Sequence, residues 1–129
     1  MSARLLMIIS AAFLALLGLV TSFMPVEVLS THGTELDNAT VLLIQMMGAL
    51  YLGFAILNWA ARGVIIGGIY ARPLALGNFL HFAMVAVMLI KAAIVHAAMP
   101  LAISAAVFSA FAAGFGAILF TVPRAVRSD

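Results

Sequence analysis

Tyr51, Asn58, Asn78 and His81 carry most of the chemical potential of this chain, because each stands inside an otherwise apolar run. Asn78 and His81 fall in "GNFLHF", residues 77 to 82. An amide or an imidazole in hydrocarbon costs on the order of a few kcal/mol unless something hydrogen-bonds it. Each therefore needs another side chain, a ligand or a water. Imidazole is also the only side chain in these runs that titrates near neutrality, which makes His81 the candidate for handling a proton.

Spacing groups these residues. His81 follows Asn78 at i+3 on nearly the same helical face, and Tyr51 precedes Asn58 by two turns on Asn58's face. Asn58 and Asn78 stand four and five residues from the membrane boundary marked by Arg62 and Pro73, which at about 1.5 Å per residue puts them at similar depth. The two helices are consecutive and antiparallel, so Tyr51, Asn58, Asn78 and His81 are expected to share a polar core between them, with Ser10 at a compatible depth. Gln45 and Lys91 match in depth near the opposite boundary and are expected as an outer polar pair. Gln45 lies roughly 140° around the helix from Asn58, so the two pairs would bridge from opposite flanks.

Other chemistries are narrowed by spacing and composition. His81 and His96 are about 22 Å apart along one helix and cannot ligate one iron. His32 and His96 could join Glu27, Glu35 or Asp37 around an ion, but the spacing carries no metal signature, and no metal or cofactor is expected. The chain has no cysteine, which excludes disulfides, thiol catalysis and iron–sulfur clusters. No carboxylate lies within an apolar run, against an exporter built on a membrane-embedded acid. Nucleophile motifs, phosphate loops and nucleic-acid signatures are missing, so no catalytic residue is assigned and no nucleic-acid partner is expected.

The elements that must position these residues follow from composition. Of 129 residues, 67% are hydrophobic and 8% charged, against roughly a quarter charged in an ordinary soluble domain. Apolar runs cover about residues 5–24, 41–61, 74–95 and 101–122, each near the length of a spanning helix. The expectation is an all-α integral membrane four-helix bundle, one transmembrane domain over residues 1–129. The first run is longer than a signal-peptide core and "LVTSFMP" offers no good cleavage site, so it is read as a retained span. Arg4, then Arg62 and Arg72, then Arg124 and Arg127 alternate with the acidic 25–40 segment, which puts both termini inside.

Two segments suggest partners. "RGVIIGGIYARP" is apolar between basic ends: Gly67-Gly68 permits a tight turn, Tyr70 suits the headgroup boundary, and Arg62 and Arg72 either anchor the topology or hold a lipid phosphate. In the fourth run Ala102, Ala106, Ala110 and Gly114 recur every fourth residue beside Ala105, Ser109, Ala113 and Ala117. Helices in lipid associate through such residues, so this stripe is expected inside the bundle or, failing that, at a homo-oligomer face.

The stretch "IQMMGALYLGFAILNWAARG", followed by "IGGIYARPLALGNFLHF" and a later lysine, resembles a group of small bacterial four-span membrane proteins with no activity assigned to it. More loosely, the four-span layout with a proline after the first span is similar to the DoxX-like superfamily. The resemblance implies the fold and carries no catalytic residues; some DoxX-type proteins are associated with quinone-linked redox chemistry, for which no motif is present. The functional expectation is a non-enzymatic membrane protein, either an accessory subunit of a larger complex or a binder of an apolar molecule such as lipid or quinone. The competing reading is a membrane enzyme or transporter in which His81 handles protons.

Overall fold

The computed structural model describes residues 3–30, 37–63 and 71–121. The expectations for His32, Glu35, the turn at Gly67-Gly68, Tyr70, Arg124 and Arg127 lie outside the described residues. The described chain is all-α, with no strand: α1 (Ala3–Phe23), α2 (Pro25–Ser30), α3 (Asn38–Ala61), α4 (Ala71–His96) and α5 (Met99–Thr121). Among them, α1, α3, α4 and α5 are long and apolar enough to cross a membrane, the pattern of a small multi-pass membrane protein.

Local chemistry sets the helix ends. Pro25 lacks an N–H and disfavours helical geometry at Met24, which divides α1 from α2. The chain nonetheless stays close to helical there, since Met24 N–H donates to Val20 at 2.8 Å and Val28 N–H to Met24 at 3.1 Å. Asp37 caps α3 from extended backbone, its carboxylate accepting the Ala39 N–H at 3.0 Å. Prolines occupy the first turns of α4 and α5, where a missing N–H costs least. Between those helices Ala97 adopts φ 47°, a left-handed conformation more usual for glycine that costs alanine about 1 kcal/mol.

The chain divides into two compact units, one built from α1 to α3 and the other from α4 and α5. In the first, α1 buries Met7, Ser10, Ala11, Leu14, Gly18 and Thr21, and α3 buries Gly48, Tyr51, Ala55 and Asn58. Alternating steps of three and four residues are the spacing of helices that pack at a shallow angle, ridge into groove. The approach is closest at the glycines. A Cβ on Gly18 would fall 2.9 Å from the Gly48 carbonyl oxygen, and one on Gly48 would fall 2.7 Å from the Ser22 nitrogen. Such contact between backbones is how helices gain dispersion energy in lipid, where apolar burial gives no advantage.

The second unit is held differently. Phe82 on α4 is fully buried, its ring centroid 5.6 Å from that of Phe108, 4.8 Å from Phe111 and 5.7 Å from Phe115, all on α5. Phe79 lies against Gly116, where a Cβ would meet its ring at 3.2 Å. Aromatic pairs at these separations contribute about 0.5–1.5 kcal/mol each beyond their contact area.

Two glycines of α3 should behave oppositely. Gly48→Val should destabilise the first hairpin by about 1–3 kcal/mol through overpacking. Gly53, with nothing within 4 Å of its would-be Cβ, should tolerate alanine and gain up to about 1 kcal/mol of helix propensity. Unfolding of each purified variant against a denaturing detergent measures both.

Candidate functional site

The residues singled out for their chemistry divide between the two hairpins: Tyr51 and Asn58 on α3, Asn78 and His81 on α4. Asn58 is fully buried, and its amide donates to Ser10 Oγ on α1 at 3.1 Å. Ser10, also fully buried, passes its own proton to the Met7 carbonyl at 3.0 Å. The result is a short relay, amide to hydroxyl to backbone, that places a polar link between α1 and α3. Ser10 was expected at Asn58's depth, and the structure brings the two together. Tyr51 continues the same buried stripe two turns from Asn58.

Asn78 is likewise fully buried, and its amide donates to the Leu74 carbonyl at 3.0 Å, one turn earlier in its own helix. His81 is half-buried against aromatic rings, with its centroid 5.3 Å from Phe82 edge-on and 6.4 Å from Phe108. Its surroundings are the packing cluster of the second hairpin.

At the other end of the first hairpin, Gln45 Nε2 donates to the Ser22 carbonyl of α1 at 3.4 Å, while Lys91 is exposed on α4. Ser10 with Asn58, Gly18 with Gly48 and Ser22 with Gln45 thus mark one antiparallel register along α1 and α3. Next to this contact the Ser22 hydroxyl is enclosed without a hydrogen-bond partner among the described residues.

Arg62 ends α3 and folds back on it. Its guanidinium donates to the Trp59 carbonyl and lies 4.1 Å from the centroid of the Trp59 ring, a cation–π contact that spacing alone did not suggest. Arg72 is exposed in the first turn of α4, on the other hairpin.

The small-residue stripe of α5 requires a correction. Ala102, Ala106, Ala110, Ala113 and Ala117 are exposed, whereas Ala105, Phe108, Ala112, Phe115 and Gly116 form the buried face. The phenylalanines select the face, because a ring in contact with rings gains more dispersion energy than a methyl does. The signal was available in the sequence: Phe108, Phe111 and Phe115 recur at helical spacing opposite Phe82. The glycine contact of the first hairpin was legible too, since Gly18 and Ser22 stand four apart as a small-residue pair.

A double-mutant cycle tests the polar link. Asn58→Leu and Ser10→Ala should couple by about 0.6 kcal/mol and by no more than about 1.7, the range for interhelical hydrogen bonds in membranes. Detergent unfolding of the wild type, both single variants and the double variant gives the coupling.

No known family model, curated protein or solved structure matches the chain.

Proposed function

We propose that this is a non-enzymatic membrane protein of the bacterial inner membrane, with both termini inside, that serves as an accessory component by binding an apolar molecule, lipid or quinone. One observation supports the reading above the others. The amides buried in the spans, Asn58 and Asn78, are engaged by hydrogen bonds to groups of their own hairpins, the Ser10 hydroxyl and the Leu74 carbonyl. The Asn58 bond ties α3 to α1 and the Asn78 bond stays within α4, so both amides are satisfied by groups of the protein itself. The aromatic setting of His81 points in the same direction, since its contacts with Phe82 and Phe108 make it part of the second hairpin's packing. The likeness to DoxX-type proteins belongs to this proposal and is what brings a quinone into consideration beside a lipid.

The test is the identity of what stays bound. After purification in mild detergent, mass spectrometry should find a lipid or quinone retained by the wild type and, at equal stoichiometry, by His81→Gln. Glutamine keeps a donor and an acceptor and lacks only the titrating proton. A folded His81→Gln protein that has lost the bound molecule would overturn the proposal in favour of a working histidine.

A further inference from the structure

The first hairpin carries an apolar groove on its flank, of about 270 Å³, bounded by Ala11, Ala15, Leu52, Ala55, Ile56 and Trp59. Alanine methyls from α1 and α3 leave a channel between the larger side chains, and no polar side chain lines it. One wall is Trp59, and over the Trp59 ring stands the Arg62 guanidinium. The groove therefore runs from an alkyl-lined stretch in the span to a fixed cation at the helix end, about 10 Å along the axis from Leu52 to Trp59 and one further turn to Arg62.

Charge within this hairpin is polarised. The end that bears Arg62 also bears Arg4, exposed in the first turn of α1, while the described acidic residues, Glu27 on α2 and Asp37 at the α3 cap, lie at the opposite end. We propose that this groove is a phospholipid site selective for an anionic headgroup: one acyl chain lies along Ala12, Ala15 and Ile56, and the phosphate is held by Arg62. Held on the Trp59 ring and tied to the Trp59 carbonyl, the guanidinium is already ordered before a lipid arrives. That lowers the entropic cost of gripping a phosphate. One of its five donors is used on the carbonyl, and a phosphate oxygen accepts from others. A zwitterionic lipid offers the same chain and phosphate but brings its own cation towards Arg62, so the site discriminates by headgroup charge. With the basic ends inside, the groove opens to the inner leaflet, the side on which juxtamembrane basic residues meet anionic lipid.

The inference rests on the apolar-ligand reading above and names the ligand class and place. Trp59 is the sole tryptophan, so its fluorescence reports on this site alone. The full-length protein is reconstituted in phosphatidylcholine vesicles, and chain-brominated phosphatidylglycerol or chain-brominated phosphatidylcholine is titrated in as the quencher. Brominated phosphatidylglycerol should quench Trp59 at about fivefold lower mole fraction, the ratio expected of one basic residue near the surface. Arg62→Gln should bring the ratio close to one, and Ala12→Phe, which fills the groove with a ring from an exposed lining position, should reduce it while the protein still folds. A wild-type ratio of one overturns the anionic selectivity. A ratio unchanged in Arg62→Gln or in Ala12→Phe overturns the site. If neither lipid shows saturable quenching, while mass spectrometry finds a molecule bound, the groove is the wrong place and the broader reading stands; if nothing is bound, both fall.

Discussion

Hydrocarbon as solvent governs this molecule. A leucine facing a lipid chain is as well accommodated as a leucine facing another helix, so apolar area alone gives two spans no reason to associate. What is left is close packing, aromatic contact and the few hydrogen bonds that polar side chains need inside the bilayer. The two hairpins solve this problem by different means. In α1 and α3 the backbones meet at Gly18 and Gly48, and the Asn58–Ser10 bond secures the register one end of the hairpin away. In α4 and α5 the Phe82, Phe108, Phe111 and Phe115 rings take the place of glycine contact.

The same solvent explains the treatment of the polar groups. Ser10, Thr21 and Asn78 all return a hydrogen bond to a carbonyl one turn earlier, the nearest acceptor available to a side chain with no water at hand. The Asn58 amide and the Gln45 amide reach another helix, and both reach α1. Their roles follow from register: each stands where the α1 and α3 backbones are close enough for a short polar side chain to span the gap. His81 sits among rings and takes part in the second hairpin's packing.

The function proposed above rests on the first hairpin by itself. The exposed flank of the first hairpin combines alanines that open a channel, a tryptophan of boundary type and an arginine held over it. In the lipid site proposed above, these residues would supply dispersion along a chain and a charge-assisted contact at the headgroup.

Most of the secondary structure was legible in the sequence, since runs of about twenty apolar residues admit only helices when no water can satisfy the backbone. A cap at Asp37 or Asn38 and the first-turn Pro100 were legible for the same local reason. Depth was legible as well, because a constant rise per residue makes position along the axis a matter of counting, and it placed Ser10 level with Asn58. The face of each helix that packs was marked only by small-residue and aromatic spacing, not by a hydrophobic period. In a span whose every side is apolar, the hydrophobic period that marks a buried face in water vanishes, and α5 illustrates the consequence: an alanine stripe at ideal spacing stays exposed while the phenylalanine face is buried. The partner of Asn58 and the placement of Arg62 on Trp59 were likewise decided by the tertiary structure. An amide or a guanidinium has several acceptable partners within reach, and only the packed geometry chooses among them.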